Sequence, residues 1–313
     1  DLGHGPFSHV LENTLVNIHH EEISLLLMEK MNEESGGKLN MSIEIFKDTY
    51  PKRFLHQLVS GQLDVDRLDY LRRDSFFTGV TEGNIGSARI IKMLNLKDDK
   101  LVVEAKGIYS IENFLMARRL MYWQVYLHKT AVAAERMMIN TLNRAKYLAI
   151  NGLELEVPFP LKYFLYNKVD RQRFETDPEA IQCFIDLDDN DIWCALKIWT
   201  KISYKVLSLL CSGLINRNLF KIEVNSKPVS PDLAAEKTHY FAEKYHLSLE
   251  DVAYLIFSEA ISTNMYNEAD DSIDILFKDG STEDISCASD MLNIQLLSKK
   301  IKKYYFCFLR DSE

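Results

Sequence analysis

The sequence predicts a mainly α protein, with a helical domain over residues 1–215 and a small α+β domain over residues 216–313. In the first two thirds of the chain, apolar residues recur at helical spacing over long segments. After about residue 215, segments alternate as strands do, and an Asp-Gly pair gives a hairpin signal. The 313 residues are also enough for two domains.

The first domain carries four apolar stripes, which predict helices over 20–34, 64–77, 111–149 and 191–211. The segment 111–149 has no glycine or proline, and we expect either one long helix or two stacked helices there. A small strand pair is expected at 101–110.

In the second domain, alternation predicts strands over 219–225 and 252–261. Ser230-Pro231-Asp232 is typical of a helix start and predicts a helix over 230–248. Asp279-Gly280 predicts a hairpin within 272–286. No chemical motif is found in this domain, so a regulatory or oligomer-forming role is expected only by analogy.

Composition excludes some classes of function. The net charge of −9 argues against an extended nucleic-acid surface, although a small anionic substrate in a local basic pocket remains open. No apolar run approaches the roughly 20 residues of a membrane span, and the start has no signal-peptide pattern. The five cysteines are scattered and form no CxxC pair, which favours reduced thiols and a cytoplasmic protein.

The opening stretch DLGHGPFSHV gathers residues that suit acid–base or metal chemistry. Its glycines and proline permit tight turns that bring polar side chains together. Ser8 could cap a helix that begins near His9, and on that helix His9 and Glu12 share one face. A carboxylate beside an imidazole fixes its tautomer and raises its basicity. His20 opens the next helix, whereas His19 is read as an ordinary polar residue.

A second polar group lies in LDVDRLDYLRRDSFFTGV (63–80). On a helix, the spacing places four side chains on one face: Asp66, Tyr70, Arg73 and Asp74. Taken alone, this face could equally be solvated and held by ion pairs between neighbouring turns.

Both stretches resemble a known family. DLGHGPFSH resembles the second half of the HD-domain signature, H-D-x-G-H-G-P-F-S-H, and DVDRLDYLRRDSFFTGV resembles the segment that carries the last metal-binding aspartate of that superfamily. Together they resemble the dNTP triphosphohydrolase branch, over residues 1 to about 140.

The resemblance implies roles for single residues. Asp1 and Asp66 match metal ligands, and the two histidine ligands of the family would precede residue 1, so the chain is expected to begin inside the metal site. The catalytic group around the scissile phosphate would be His4, His9, Glu12 and His20. Imidazole and carboxylate ligands suit Fe, Mn, Co, Ni or Zn, with Mg as a further ion on the substrate phosphates.

The same resemblance implies the substrate contacts. Arg67 and Arg118 match residues that contact phosphates. Tyr70 and Asp74 match contacts on the sugar side, and Tyr126 matches the position near the sugar where the family excludes a 2′-hydroxyl. Tyr122 and Trp123 depart from the pattern, because the family has further polar residues there.

The function predicted is hydrolysis of a dNTP to a deoxynucleoside and triphosphate. Two alternatives stay open: an HD phosphatase or phosphodiesterase acting on another nucleotide, and a non-catalytic HD module that senses nucleotides or serves as a scaffold. The expected partners are the nucleotide substrate and further copies of the chain in a dimer or tetramer, with a nucleotide activator as an open possibility. No membrane partner is expected.

Overall fold

The computed structural model of the chain describes residues 2–263, 272–290 and 301–310. The chain divides into two compact units, each assembled from separate stretches. Unit 1 comprises Asp1–Leu39, Lys129–Ile261 and Lys303–Glu313, and unit 2 comprises Asn40–His128 and Ser262–Lys302. Unit 1 continues across residue 215, where the sequence analysis put its boundary, and the division at 215/216 stays a prediction.

Helices dominate the described residues, which confirms the predicted mainly α class. Numbered along the chain, they are α1 (Ser8–Glu12), α2 (His20–Glu34), α3 (Asn40–Phe46), α4 (Phe54–Val59), α5 (Val65–Thr78), α6 (Ser87–Met93), α7 (Ile108–Met121), α8 (Lys129–Ile150), α9 (Phe159–Tyr166), α10 (Arg171–Thr176), α11 (Pro178–Asp186), α12 (Asp189–Trp199), α13 (Lys205–Ile215), α14 (Pro231–Tyr245), α15 (Leu249–Val252) and α16 (Ile285–Ala288). Among the described residues, none of these helices is long and apolar enough to cross a membrane.

The strands are short and form small sheets. They are β1 (Val16–Asn17), β2 (Leu94–Lys97), β3 (Lys100–Glu104), β4 (Val169–Asp170), β5 (Lys221–Asn225), β6 (Ile256–Thr263), β7 (Asp274–Leu276), β8 (Thr282–Asp284) and β9 (Ile301–Phe308). β1 pairs in parallel with β4, and β9 lies between β5 and β6. The order β2-β3-β7-β8 forms another sheet, in which β3 and β7 are parallel.

Each unit has its own apolar core. In unit 1, the apolar faces of α1, α2, α8, α9, α12 and α13 enclose fully buried side chains such as Leu15, Phe164 and Trp199. In unit 2, α5 and α7 pack against β3 and β7, with Leu71 and Phe114 fully buried. Burying one such side chain contributes roughly 1.5–3 kcal/mol, so these faces fix where the polar residues of each helix point.

The structure confirms most of the predicted elements and corrects two. The helix predicted over 191–211 is two helices, α12 and α13. The Thr200 hydroxyl donates to the Lys197 carbonyl (2.7 Å), and the Ser208 hydroxyl donates to the Thr200 carbonyl (2.7 Å). These side-chain bonds satisfy carbonyls at the end of α12. The apolar pattern of the sequence continues across the break because both helices pack on the same core, so the pattern alone does not indicate where α12 ends.

The strand pair predicted at 101–110 is also wrong. β3 ends at Glu104, and its antiparallel partner is β2, which precedes it. The turn between them is Asp98-Asp99, and both residues have positive φ (51° and 60°), as a tight hairpin turn requires. In contrast, the hairpin predicted around Asp279-Gly280 is confirmed by the antiparallel pair β7 and β8.

The long segment 111–149 resolves into two helices rather than one. α7 ends at Met121, one wider π-helical turn covers Tyr122–Tyr126, and α8 begins at Lys129. The Leu127 amide donates to the Tyr122 carbonyl (2.7 Å), which closes this wider turn. The assembly into dimers or tetramers that was expected on this segment stays a prediction.

We predict that Gly3→Ala destabilises the protein. A Cβ at Gly3 would lie 2.1 Å from the His20 carbonyl oxygen and 2.5 Å from the Ser24 amide nitrogen, both backbone atoms of α2. Overpacking of this kind costs about 1–3 kcal/mol, and we expect a matching loss in the free energy of unfolding, measured in urea. Gly86→Ala is the matched control, because nothing lies within 4 Å of its Cβ position. Equal stability of the two variants would contradict the close approach.

Candidate active site

Four predicted catalytic side chains lie together in unit 1. The ring centroid of His4 is 5.3 Å from that of His9 and 4.8 Å from that of His20, and His9 and His20 are 5.6 Å apart. Glu12 lies beside these rings and is mostly buried, with 10% of its side chain exposed. We call this group the histidine–glutamate cluster: His4, His9, Glu12 and His20.

The backbone around the cluster explains why these side chains meet. Phe7 adopts a left-handed conformation (φ 50°, ψ 41°) directly before α1. Such a conformation is costly for a residue other than glycine, and it reverses the chain so that α1 begins at Ser8. The Gly3 amide donates to the Ser24 hydroxyl (2.8 Å), which joins the opening loop to α2. His4 and His20 are thereby brought together.

Glu12 is the acceptor at the centre of the cluster. Its Oε1 accepts from the Ser8 hydroxyl (3.2 Å) and lies 2.7 Å from His20 Nδ1. Its Oε2 lies 3.5 Å from His19 Nδ1 and 3.9 Å from His9 Nδ1. The last distance is too long for a hydrogen bond, so His20 is the imidazole that Glu12 orients most firmly.

Burial acts to raise the pKa of Glu12, but the hydrogen bond and charge of His20, with bonds from His19 and Ser8, hold this pKa below its ordinary value. Glu12 is therefore ionised at neutral pH and can only accept, so His20 Nδ1 carries the proton. The other ring nitrogen, Nε2, lies 3.3 Å from Glu21 Oε1. When both of its nitrogens are protonated, His20 can donate to two carboxylates.

Part of the cluster also has the composition of a metal centre. His9, Glu12 and His20 each offer a ligand-type atom, and these atoms lie within 4.8 Å of one another. Two imidazoles and one carboxylate are ligands that suit transition metals. A cavity of about 720 Å³ in unit 1 borders His4, with apolar walls that include Leu27, Met31 and Phe184.

The predicted substrate-binding side chains lie together in unit 2. Arg67, Tyr70 and Asp74 project from α5, Arg118 from the last turn of α7, and Tyr126 from the π-helical turn. We call these five residues the arginine–tyrosine cluster. The Tyr126 hydroxyl donates to Asp74 Oδ2 (2.5 Å), and the Tyr126 ring meets the Tyr70 and Tyr122 rings edge-on, at 6.0 and 5.2 Å.

The two tyrosines of the arginine–tyrosine cluster are held neutral. Burial, with the nearby Tyr122, raises the pKa of Tyr70 to about 12 against the opposing charges of Arg118 and Arg67. Burial also raises the pKa of Tyr126, as do the hydrogen bond and charge of Asp74. Both hydroxyls are therefore hydrogen-bond donors at neutral pH.

The two arginines of this cluster are each held by a side chain from the segment before α5. Arg67 Nη1 donates to Asp64 Oδ2 (3.1 Å), and Arg118 Nη1 donates to Gln62 Oε1 (2.9 Å). In the described part of the chain, the buried Nε atoms of Arg67 and Arg118 have no hydrogen-bond partner. The Nε atoms of Arg136 and Arg144 are in the same state, so the guanidinium Nη atoms are the donors to consider for a ligand.

Of the two metal ligands that the resemblance implies, the described residues include one. Asp66 lies in the first turn of α5, with its side chain exposed, and Asp1 lies outside the described residues. Their pairing in one metal site stays a prediction. Arg73, which the sequence placed on the same face as Asp66, pairs with Asp69 (3.3 Å) on the surface.

The sequence analysis missed several supporting residues. His19 precedes α2, accepts the Glu22 amide at its backbone carbonyl (3.0 Å) and donates its own amide to Glu22 Oε2 (3.4 Å), in addition to lying near Glu12. Ser8 does not cap α1 as predicted, because Phe7 takes the capping position, and the Ser8 hydroxyl binds Glu12 instead. Gln62 and Asp64 were also missed, although Asp64 directly precedes an apolar stripe, which is a recognised signal for a helix cap.

Unit 1 contains a second concave region, of different character. A cavity of about 570 Å³ is lined by the cationic side chains Lys129, Arg217, Lys221 and Arg310, together with Thr130 and apolar residues. In a chain of net charge −9, these four side chains form a local concentration of positive charge.

A solved phosphohydrolase from Bacteroides thetaiotaomicron is 62% identical to this chain, with a TM-score of 0.94, and the match covers 98% of this chain and 77% of that one. A hypothetical protein from Aquifex aeolicus shares the fold at a TM-score of 0.59 and 23% identity, with 87% of this chain and 62% of that one covered.

Curated relatives extend the comparison. YwfO of Bacillus subtilis, an uncharacterised protein, is 31% identical over 233 residues, which cover 72% of this chain and 52% of YwfO. A Dictyostelium discoideum homologue of the deoxynucleoside triphosphate triphosphohydrolase SAMHD1 is 27% identical over 177 residues, which cover 50% of this chain and 34% of that protein. The chain spans about half the length of the curated relatives it matches first.

The model of a family described as "HD associated region" matches residues 85–152. With the likeness to the Bacteroides enzyme, the fold and the clustered imidazoles, carboxylates and arginines define a phosphohydrolase. Within that class, the chain belongs to the HD-domain phosphohydrolase family.

We predict that Glu12 contributes stability that depends on pH. Because its pKa in the folded protein lies below its ordinary value of 4.5, the contribution is fully present above about pH 4.5 and is lost as the pH falls through the lowered pKa. The difference in the free energy of unfolding between wild type and Glu12→Gln, measured in urea from pH 3.5 to 6.5, should shrink at the acid end. Glu33→Gln, an exposed position on α2, controls for the lost charge. A difference that is constant with pH would contradict the ion pairing of Glu12.

Proposed function

We propose that this protein is a metal-dependent dNTP triphosphohydrolase that releases a deoxynucleoside and triphosphate. The observation that carries the proposal is the composition of the arginine–tyrosine cluster. Arg67 and Arg118, side chains of the kind that bind phosphates, lie in the same unit as the hydrogen-bonded pair of Tyr126 and Asp74. The SAMHD1 homologues among the relatives bear an activity of this kind in their names, which supports the choice.

Polyphosphate recognition is assigned to Arg67 and Arg118. A guanidinium is always charged and can donate two parallel hydrogen bonds to a phosphate group. The charges of both arginines act on the same Tyr70 hydroxyl, so the two guanidiniums lie near one phenol.

Sugar recognition is assigned to Tyr70, Asp74 and Tyr126. Asp74 is an acceptor and suits a sugar hydroxyl, whereas a phosphate group would be repelled by its charge. Tyr126 holds the Asp74 carboxylate through the 2.5 Å hydrogen bond. The Tyr126 ring packs edge-on against Tyr70 and Tyr122, and the resemblance assigns this ring to the position that excludes a 2′-hydroxyl, which supports deoxyribose over ribose.

Proton transfer is assigned to the histidine–glutamate cluster. Glu12 holds the Nδ1 proton of His20, so its Nε2 is the nitrogen that can exchange a proton with the leaving oxygen. General acid–base help of this kind contributes roughly 10²–10⁴-fold. His9 and His4 lie close enough to donate to phosphate oxygens bound beside His20.

A divalent transition metal is the cofactor that the family implies. His20 Nδ1 donates its proton to Glu12, and a metal on that pair of atoms would have to displace the proton, so we assign the cluster to proton transfer. Asp66 is exposed on the first turn of α5, and the resemblance assigns it to the metal ligands. A bound metal would neutralise phosphate charge and acidify water.

To test the proposal, the purified full-length protein is incubated with each dNTP and Mn²⁺, and the products are separated by ion-exchange chromatography. We expect deoxynucleoside and intact triphosphate. Asp66→Ala should abolish their release, whereas Asp69→Ala, an exposed change one helical turn away, should retain it. Asp74→Asn should lower kcat/KM by about tenfold or more, because it weakens a charge-assisted hydrogen bond.

Other outcomes would redirect the assignment. Orthophosphate released from a nucleoside monophosphate would make the chain an HD phosphatase. No turnover of any nucleotide, with metal bound, would leave a nucleotide sensor or scaffold.

We further propose that the cationic cavity of unit 1 is where a nucleotide activator binds. Its volume, about 570 Å³, lies within the range of small-molecule sites, and its four cationic side chains suit a polyphosphate. None of these four belongs to either cluster assigned to the reaction.

We predict that Arg217→Gln combined with Arg310→Gln weakens the binding of a fluorescent GTP analogue by about tenfold or more, since two charge-assisted contacts are lost. Fluorescence anisotropy measures the binding, and basal dNTP hydrolysis should be unchanged. Lys227→Gln, an exposed lysine of unit 1 outside the cavity, is the control. Equal affinity of the double variant and the wild type would refute an activator site here.

A further inference from the structure

The segment Gly61–Asp64, between α4 and α5, contacts both arginines of the arginine–tyrosine cluster. Asp64 is one of the few buried charged residues among those described, with 4% of its surface exposed. Its Oδ1 accepts from the Arg67 amide (2.7 Å), which caps α5, and its Oδ2 accepts from Arg67 Nη1 (3.1 Å) and from the Gly61 amide (3.3 Å). One carboxylate thus fixes the start of α5 and the side chain of Arg67.

Gln62 lies two residues earlier and holds the other arginine. Its Oε1 accepts from Arg118 Nη1 at 2.9 Å, across 56 positions of sequence. Arg118 lies at the end of α7, so this bond ties the segment before α5 to the place where the π-helical turn begins. The guanidinium groups of the two arginines are therefore both hydrogen-bonded to side chains of one short segment.

A buried carboxylate has a cost that its helix-capping role does not by itself explain. Asp64 is removed from water, and a buried charge must be compensated by hydrogen bonds and a charged partner. An asparagine would cap α5 about as well without being charged. What asparagine could not supply is an ionic partner that keeps the Arg67 guanidinium in one orientation.

We propose that Gln62 and Asp64 are positioning residues, which orient Arg118 and Arg67 so that both guanidiniums converge on one polyphosphate. This inference rests on the proposed function, since it assigns the two arginines to phosphate binding. Free arginine side chains sample many rotamers, and a ligand that must order them binds less tightly. Gln62 and Asp64 order them before the ligand arrives.

The experiment measures binding of inorganic triphosphate by calorimetry, which needs no turnover. All variants, and the reference protein called wild type here, are full-length and carry Arg217→Gln and Arg310→Gln, so that the cationic cavity of unit 1 does not contribute a second polyphosphate site. Asp64→Asn keeps the helix cap, and Gln62→Leu removes the side-chain amide that accepts from Arg118. We expect each change to raise the Kd by about tenfold, the size of one lost charge-assisted hydrogen bond. Gln62→Glu keeps an acceptor for Arg118 and should restore wild-type affinity.

Double variants separate positioning from a general structural effect. In an Arg67→Ala background, Asp64→Asn should change the Kd by less than about twofold, because the residue through which it acts is gone. In an Arg118→Ala background, Asp64→Asn should keep its full effect. A residue that mattered only for folding would add its effect in both backgrounds and would lower the melting temperature.

Asp170 provides a matched control in unit 1. It also caps a helix, α10, and accepts from the amide of an arginine three residues on, Arg173 (3.0 Å). The charge removed and the capping geometry are the same, but no residue assigned to phosphate binding is involved. Asp170→Asn should leave the Kd for triphosphate unchanged.

Three results would overturn the proposal. Tighter binding by Asp64→Asn would mean that the carboxylate only repels phosphate. Equal losses in the wild-type and Arg67→Ala backgrounds would mean that Asp64 does not act through Arg67. No triphosphate binding by the wild type would remove the arginines from phosphate recognition. If wild type binds triphosphate and hydrolyses no dNTP, the proposed function fails while the positioning test stands.

Discussion

The histidine–glutamate cluster depends on one close approach, that of Gly3 to the first turn of α2. With no Cβ at residue 3, the backbone of the opening loop can lie against the His20 carbonyl, and the Gly3 amide reaches the Ser24 hydroxyl. His4 follows directly and faces His20 across 4.8 Å. A side chain at residue 3 would push the loop away from α2 and would separate the imidazole of His4 from that of His20, which Glu12 orients.

The two clusters share one local feature, because in each of them one side chain projects from the first turn of a helix: His20 from α2 and Arg67 from α5. The first amides of a helix lack partners within it, so the residue before the helix must satisfy them and is thereby fixed in place. His19 does this before α2, and Asp64 does it before α5. His20 directly follows His19, and Arg67 follows Asp64 by three residues, so the backbone of both is fixed by the cap. In both cases the capping residue also bonds to a member of the cluster or lies beside one.

The sequence was sufficient for what depends on local pattern and insufficient for what depends on partners far along the chain. Helix α2 begins and ends where its apolar stripe predicts, and the Asp279-Gly280 hairpin forms as expected. The parallel pairing of β3 with β7 joins residues some 170 positions apart, and no local signal marks it. The bond between Gln62 and Arg118 is of the same long-range kind. The capping role of Asp64 could have been read from the sequence, but its bond to a side chain of the site could not.

Protonation distinguishes the histidine–glutamate cluster from the arginine–tyrosine cluster. Glu12 has a lowered pKa and is an acceptor, whereas Tyr70 and Tyr126 have raised pKa values and are donors. Asp74 lies among those donors, and a bare carboxylate there would repel a polyphosphate. Its hydrogen bond from Tyr126 spreads part of its charge and fixes its direction. A carboxylate held in this way suits a neutral hydroxyl as its partner. We therefore assign the Tyr126–Asp74 pair to binding of the sugar and the two arginines to binding of the phosphates.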